Sequence, residues 1–251
     1  PNIARLLTSL GAYAYTASDD TLYTHLYIGG SIVCSFGGKE LTVKTDSDIP
    51  WEGKAKVSVK GNETKCRLAF RIPSWSRQTK VTISKDGDEK IIFITSEGVL
   101  SSEEGGIKCE NGYLYIEGTF NEAEISFEFQ MEVMLVRANN RVREDVGKLA
   151  VRRGPVTYCL EEKDNGDNLQ LLYLDRARFE NEGAKVTEGT ILKEKLITID
   201  IPGIREKTDV EGALYLDALG EKLFERVNLK FVPYYAWNNR GIGEMSVFFR
   251  N

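Results

Sequence analysis

The alternation of apolar and polar residues over long stretches is the feature that most constrains how this chain can fold. Between Glu122 and Val136, every second residue is apolar: Ile125, Phe127, Phe129, Met131 and Val133. Successive side chains of a strand point to opposite faces of its sheet, so this pattern predicts a long, bent strand with one face in water. Similar segments recur throughout the chain and are separated by glycine and proline. We therefore predict a mainly β fold.

Shorter strands are predicted on both sides of that segment. Their ranges are 22–28, 31–36, 39–45, 54–60, 66–72, 80–85, 91–95, 149–152, 156–160, 169–174, 195–201, 214–217, 229–232 and 244–249. Many short strands without alternating helices favour two antiparallel β-sandwich domains, jelly-roll-like, over a barrel with crossover helices. The polar stretch 137–147 marks the expected boundary, which gives domains of residues 18–137 and 138–251.

One helix is predicted, at the start of the chain and within residues 1–17. Its apolar residues recur at helical spacing: Ile3, Leu6, Leu7, Leu10 and Ala14. Pro1 and Asn2 suit the first turn of a helix, and the turn-forming residues 17–20 suit its end. We expect an amphipathic helix from Asn2 to Tyr15.

The charge balance argues against two classes of partner. The chain has 33 Lys and Arg against 38 Asp and Glu, a net charge of −5, and no basic block longer than a pair. A protein that binds the phosphate backbone needs a concentrated basic face, so we expect no nucleic-acid partner. The uncharged apolar stretches are far shorter than the roughly 20 residues of a membrane span, so we expect no membrane partner. The compartment stays open.

The cysteine and histidine content argues against a zinc site built by this chain alone. Cys34, Cys66, Cys109 and Cys159 lie far apart without C-x-x-C spacing, and His25 is the only histidine. We expect free, buried thiols that act as small hydrophobic groups, with one or two disulfides as the alternative.

Few residues suggest catalysis. His25 lies between two tyrosines on a predicted strand, and we interpret it as a half-buried histidine bonded within the sheet rather than as a catalytic base. The acid pairs Asp19-Asp20 and Glu161-Glu162 could serve glycoside hydrolysis, but adjacent acids on loops are usually solvated. The segment 62–64 fits the N-glycosylation pattern, and we interpret it as a turn. We predict no catalytic residue, cofactor site or metal ligand in this chain.

Three tryptophans are candidates for sugar stacking: Trp51, Trp75 and Trp237. Flat aromatic faces are how many sandwich modules hold glycans. The same side chains also fill sandwich cores, and that interpretation is favoured.

Six segments, taken in order, carry a resemblance to a known family. They are Pro1-Asn2-Ile3-Ala4-Arg5, Leu22 to Tyr27, Thr45 to Gly53, Phe70 to Trp75, Arg153 to Glu161, and Pro233 to Gly241 followed by Gly243-Glu244-Met245. Together they resemble the C-terminal part of glycoside hydrolase family 127, the β-L-arabinofuranosidase-like enzymes.

The resemblance implies a larger enzyme whose N-terminal (α/α)6 barrel carries the chemistry. In that family the nucleophile is expected to be a cysteine bound to Zn²⁺ in a site of three cysteines and one glutamate, with a separate glutamate as acid/base. Coordination to zinc ionises a thiol that would otherwise stay protonated. The family's cysteine pair would precede Pro1, and the four cysteines here match none of its ligand positions. Zn²⁺ is therefore expected only in the full-length enzyme, and residues 1–17 become the last helix of a barrel missing from this chain.

These considerations leave three functions open. The first is a non-catalytic C-terminal region that scaffolds the missing barrel and is inactive alone. The alternatives are a stand-alone carbohydrate-binding module, with an arabinose-containing glycan as partner, and a non-enzymatic interaction domain. Because the helix would expose an apolar stripe, we expect the chain either to form a homodimer through it or to fold the helix onto its own sheet.

Overall fold

The computed structural model describes residues 2–95, 106–191, 194–207, 215 and 222–251, together with the backbone of residues 98 and 99. Strands predominate, which confirms the predicted mainly β fold. The chain divides into two compact units, Pro1–Glu132 and Val133–Asn251, called here the first and second units. Within the described residues, no helix is long and apolar enough to cross a membrane.

The first unit contains one helix and one sheet. Helix α1 covers Asn2–Ala14. The strands are β1 (Tyr15–Ala17), β2 (Thr21–Thr24), β3 (Gly30–Phe36), β4 (Lys39–Ser47), β5 (Lys54–Arg71), β6 (Gln78–Lys85), β7 (Asp88–Thr95), β8 (Gly98–Val99), β9 (Ile107–Glu110) and β10 (Tyr113–Phe129). Their order is β1-β2-β5-β10-β6-β7-β8. In addition, β4 pairs with both β3 and β5, and β9 pairs with β10.

The long strands β5 and β10 form the centre of this sheet, and their alternation places the core. In β10 the side chains of Ala123, Ile125, Phe127 and Phe129 are buried, whereas Glu122, Glu124 and Glu128 are not. Burial of each large apolar side chain stabilises the unit by about 1.5–3 kcal/mol. The alternating pattern that predicted the strand thus reflects a sheet with one buried face.

The end of β10 differs from the sequence prediction. The strand stops at Phe129, Met131 lies in the connection that follows, and Val133 belongs to β11 (Val133–Val136), which pairs in the second unit. The units therefore divide after Glu132, whereas the sequence placed the boundary at residue 137. Alternation continues across the junction because β11 is also partly buried, and periodicity does not reveal that the chain has changed sheets.

The predicted turn at residues 62–64 is wrong. Strand β5 runs without interruption from Lys54 to Arg71, and its pairing with β10 shifts by two residues between Phe120 and Glu122, where residues 61–63 lie opposite Asn121 alone. This bulge accommodates Glu63, whose φ is +48°. The Thr64 hydroxyl is buried and donates to the Glu40 carbonyl at 2.9 Å.

The second unit holds the remaining strands and two short helices. They are β11 (Val133–Val136), β12 (Lys148–Arg153), β13 (Val156–Glu161), α2 (Glu162–Asn165), β14 (Leu172–Leu174), α3 (Arg176–Glu182), β15 (Lys185–Ile191), β16 (Glu194–Glu206), β17 (Phe224–Pro233), β18 (Met245–Ser246) and β19 (Phe248–Arg250). Their order is β11-β12-β19-β14-β16-β17-β13-β18, with β15 beside β16. Short 3-10 helices cover Arg143–Asp145, Leu169–Leu171 and Tyr234–Ala236.

Several local predictions for the second unit need correction. The predicted strand 169–174 begins as a 3-10 helix and becomes extended only from Leu172 to Leu174. The helices α2 and α3, four and seven residues long, were not predicted because they are too short to show helical periodicity. The predicted strand 214–217 lies outside the described residues except for Tyr215.

Both sheets are mixed rather than purely antiparallel. Strand β2 runs parallel to β5, and β14 runs parallel to β19 at the pair Tyr173–Arg250. The other described pairings are antiparallel. Parallel neighbours come from distant parts of the sequence and leave no local signal, so the prediction of antiparallel sheets was wrong at these two places. The sandwich and jelly-roll arrangement stays a prediction.

Candidate functional site

A concave pocket in the second unit places several charged and polar side chains beside an aromatic ring. Its volume is about 540 Å³, and it lies between the end of β13, helix α2 and the segment that follows β17. Its walls include Glu161, Glu162, Asp167, Trp237, Asn238 and Glu244. We call it the Trp237 pocket.

A buried ion network fixes one wall of this pocket. The Arg240 guanidinium donates through Nε to Oε2 of Glu161 at 3.0 Å and through Nη1 to Oδ1 of Asp164 at 3.1 Å. The three side chains, called the Arg240 cluster, are only 16%, 9% and 13% exposed. Hydrogen bonds to Asp164 and Glu161 raise the pKa of Arg240 above its ordinary value. Because each carboxylate accepts a hydrogen bond from the guanidinium, these bonds offset part of the cost of withdrawing the side chains from water.

The same cluster holds the backbone of the pocket wall. Oε1 of Glu161 accepts the Asn238 amide N–H at 2.9 Å, and the ammonium of Lys163 donates to the Arg240 carbonyl at 2.9 Å. Glu161 is therefore bonded on both carboxylate oxygens. The sequence treated Glu161-Glu162 as solvated acids, and for Glu161 this is wrong, because it ends a buried strand and faces Arg240.

The opposite wall is tied by reciprocal bonds. Oε2 of Glu162 accepts the Glu244 N–H at 2.8 Å, and the Glu162 N–H donates to the Glu244 carbonyl at 3.0 Å. Oε2 of Glu244 accepts the Leu169 N–H at 2.8 Å. These carboxylates bond backbone amides, which is a structural role. The geometry therefore does not support an acid/base pair for glycoside hydrolysis.

The three candidate tryptophans occupy different environments. Trp237 is half-buried against the cluster of Cys159, Ile191, Leu196, Val232 and Ala236, and its ring also lines the pocket. Trp75 packs on the first unit's core, with its ring 5.5 Å from that of Phe129. Trp51, in the turn after the cis bond between Ile49 and Pro50, is 46% exposed. Of the three tryptophans, only Trp237 lines one of the pockets formed by the described residues, where polar groups surround its ring.

His25 follows β2 in the first unit and belongs to an aromatic cluster with Tyr23 and Tyr113. Its Nδ1 lies 2.7 Å from the Tyr113 hydroxyl, and its Nε2 lies 2.7 Å from the Thr16 hydroxyl. The Tyr23 ring stacks on it at 6.0 Å. Burial lowers the pKa of His25, and the nearby Arg71 cation lowers it further. Both ring nitrogens are engaged within the unit, so the arrangement is that of a structural histidine.

The four thiols do not fit a zinc-thiolate centre. All four cysteines are free, and burial raises the pKa of Cys66 and Cys159 to about 12. Burial also raises the pKa of Cys34 and Cys109. A zinc ligand needs the opposite shift. Among the described residues, no three His, Cys, Asp or Glu side chains lie close enough together to hold a metal ion.

The sequence analysis named Trp237 as a candidate for sugar stacking, which stays a prediction, and it did not identify the Arg240 cluster. Arg240 and Glu161 are 79 residues apart, and their pairing depends on the return of the chain after β17. Arg240 stands between Asn239 and Gly241, an ordinary turn context. Glu161 and Arg240 both lie in segments that carry the family resemblance, 153–161 and 233–241. This shared feature is the sequence signal that could have indicated their pairing.

Comparison with known proteins identifies both units. The family model described as "Beta-L-arabinofuranosidase, GH127 middle domain" matches residues 21–131, and the one described as "Glycoside hydrolase family 127 C-terminal domain" matches residues 133–250. The junction between these matches coincides with the division between the two units after Glu132.

Individual relatives agree with the family models. A non-reducing end beta-L-arabinofuranosidase of Bifidobacterium longum subsp. longum is 35% identical, over 99% of this chain and 36% of its own length. The crystal structure of a GH127 beta-L-arabinofuranosidase from Geobacillus stearothermophilus T6 aligns with a TM-score of 0.84 and 32% identity, over 100% of this chain and 36% of its own. A structure titled glycoside hydrolase aligns with a TM-score of 0.78 and 27% identity, over 100% and 39%.

The chain thus spans a little over one third of the length of these relatives. The two family models together cover nearly all of it, in the order and at the boundary that the structure shows. The chain belongs to glycoside hydrolase family 127, of which it carries the middle and C-terminal domains.

Proposed function

We propose that this chain is a non-catalytic region of a glycoside hydrolase of the β-L-arabinofuranosidase type and that it scaffolds a catalytic (α/α)6 barrel. The exposed apolar face of α1 carries this proposal. Ile3, Leu6 and Leu7 are 76%, 55% and 65% exposed, and they lie on one side of the helix. Apolar groups at this density on one face are typical of a surface that another domain covers.

The attachment of α1 explains how it could serve as a connector. Only its last residue, Ala14, is buried, and the Ala14 carbonyl accepts the His25 N–H at 2.8 Å. Leu10 and Ala14 line a groove of about 390 Å³ with Ile28 and Ile32. The C-terminal end of the helix is therefore fixed to the first unit, while the N-terminal half of its apolar face is available.

In this proposal the zinc-dependent chemistry belongs to residues outside the chain. The described cysteines are protonated thiols on strands, and the carboxylates of the Trp237 pocket bond backbone amides. The relatives, roughly three times longer than this chain, have room for a separate catalytic domain. The contribution of this chain is then to stabilise and position that domain.

The test supplies the absent domain from a relative. The part of the Bifidobacterium longum enzyme that this chain does not match is expressed with an affinity tag, alone and together with this chain. We expect the chain to co-purify and to raise turnover of a chromogenic β-L-arabinofuranoside, and we expect the chain alone to give none. Failure to co-purify, or turnover by the chain alone, would overturn the proposal.

A matched pair of variants shows whether α1 is responsible. Ile3→Glu with Leu7→Glu places two charges four residues apart on the apolar face, and Thr8→Glu with Ala12→Glu does the same on the opposite face. We expect only the first pair to abolish co-purification. If both pairs of substitutions reduced co-purification equally, docking through the apolar face of α1 would be contradicted.

A further inference from the structure

The Trp237 pocket has the features of a ligand site that is formed before its ligand arrives. The Arg240 cluster holds one wall and the Glu162–Glu244 bonds hold the other. Helix α2 is fixed as well, because the Asn165 side chain donates to the carbonyls of Glu161 and Lys230 at 3.0 and 2.9 Å. A site fixed in this way loses little conformational entropy on binding.

The charges of the pocket exclude several ligand classes. The lining carries four carboxylates, of Glu161, Glu162, Asp167 and Glu244, against the two cations of Arg240 and Lys163, so an anion such as phosphate would be repelled. A divalent cation needs carboxylate oxygens that converge on one point, whereas Glu162 and Glu244 each accept a backbone N–H. A purely apolar ligand would cover the polar side chains of Asn238 and Asp167 without giving them a partner. A neutral ligand rich in hydroxyl groups meets none of these objections.

The groups that remain unused match such a ligand. Among the described residues, the Trp237 indole N–H, the Asn238 side-chain amide and the Asp167 carboxylate have no hydrogen-bond partner, and all three residues line the pocket. An amide both donates and accepts, as a sugar hydroxyl does. The indole ring adds a flat apolar face. The volume of about 540 Å³ falls within the range of small-molecule sites.

We propose that the Trp237 pocket binds a neutral saccharide, with the C–H face of one sugar ring against Trp237 and its hydroxyls on Asn238 and Asp167. The site lies wholly in the second unit and is independent of α1, so it does not depend on the scaffolding function. It gives the chain a binding function of its own, directed at neutral glycans.

The test compares the intact chain with three variants. Trp237→Ala removes the ring, and Asn238→Gly removes the amide while keeping the left-handed backbone, whose φ is +62°. Trp51→Ala removes an exposed tryptophan of the first unit and is the matched control. Binding is measured by calorimetry and tryptophan fluorescence with linear arabinan oligosaccharides, cello-oligosaccharides and the anionic polygalacturonate.

We expect a neutral oligosaccharide to bind, Trp237→Ala to weaken it at least about tenfold, and Asn238→Gly to weaken it several-fold, with Trp51→Ala unchanged. If Trp237→Ala alters the far-ultraviolet circular dichroism or lowers the free energy of unfolding, the Asn238→Gly result decides. The proposal is overturned if no neutral oligosaccharide binds, if polygalacturonate binds best, or if Trp51→Ala weakens binding as much as the pocket variants. Co-purification with the catalytic part should be the same for all three variants, which separates this result from the test of α1.

Discussion

The Arg240 cluster of the second unit and the cluster around His25 in the first, called the His25 cluster, both hold polar side chains partly or largely away from water. They differ in the kind of polar group that each contains. Each holds polar side chains beside aromatic rings at the end of a strand. The Arg240 cluster consists of full charges that are almost withdrawn from water. The His25 cluster consists of a half-buried imidazole, two tyrosine rings and a threonine hydroxyl, and burial lowers the pKa of the imidazole below its ordinary value of 6.5.

This difference predicts which substitutions each unit can tolerate. A buried charge that loses its partner pays the full cost of its desolvation, whereas a neutral group at a half-exposed site can turn to water. The wall that Glu161 and Asp164 form in the Trp237 pocket is therefore expected to be sensitive to the loss of the Arg240 side chain. The His25 cluster is supported by several weak contacts, none of which is essential.

The largest effect is expected from Arg240→Ala. It leaves Glu161 buried without a cation and Asp164 with only the longer pair to Lys230, whose Nζ lies 3.8 Å from Oδ1, so the free energy of unfolding of the second unit should fall by about 3–5 kcal/mol. Urea denaturation followed by tryptophan fluorescence and circular dichroism measures this loss. Lys80→Ala, which breaks an exposed pair with Glu128 in the first unit, should cost no more than about 1 kcal/mol. Similar losses for the two variants would contradict the comparison.

The next effect concerns association rather than stability. The chain alone should form a dimer through the exposed face of α1, and Ile3→Glu with Leu7→Glu should make it monomeric while leaving the free energy of unfolding nearly unchanged, since neither side chain is buried. Light scattering coupled to size exclusion measures the mass. A wild-type chain that stays monomeric at every concentration would show that this face does not self-associate.

A smaller loss is expected from Tyr113→Phe. It removes the hydroxyl that contacts Nδ1 of His25 but keeps the ring beneath Arg71, whose guanidinium carbon lies 5.4 Å from the ring centroid. We expect the first unit to lose about 1 kcal/mol, as for an ordinary neutral hydrogen bond. Thermal unfolding compared with wild type measures it. A loss as large as that of Arg240→Ala would remove the distinction between the clusters.

The sequence predicted the parts of the molecule that depend on local pattern. Helix α1 ends at Ala14, one residue before the predicted end, because its apolar spacing is continuous up to that point. The buried face of β10 follows the alternation of Ile125 and Phe127. The parallel pairing of β2 with β5 and the contact of Arg240 with Glu161 were not predictable, because each joins segments far apart in the chain.

The smallest effect tests the neutral state of His25 directly. Because burial and Arg71 lower its pKa in the folded chain, the unfolded chain binds the proton more readily. The stabilisation is therefore complete above the ordinary histidine pKa of 6.5 and is lost as the pH falls through the lower folded value. His25→Gln removes this titration, so its free energy of unfolding should vary less than that of wild type between about pH 7.5 and about pH 5. Since His25 is the only histidine in the chain, its imidazole proton resonances report the folded pKa without ambiguity. A measured value above 6.5 would mean that a nearby carboxylate stabilises the imidazolium, and the two clusters would then both be ionic.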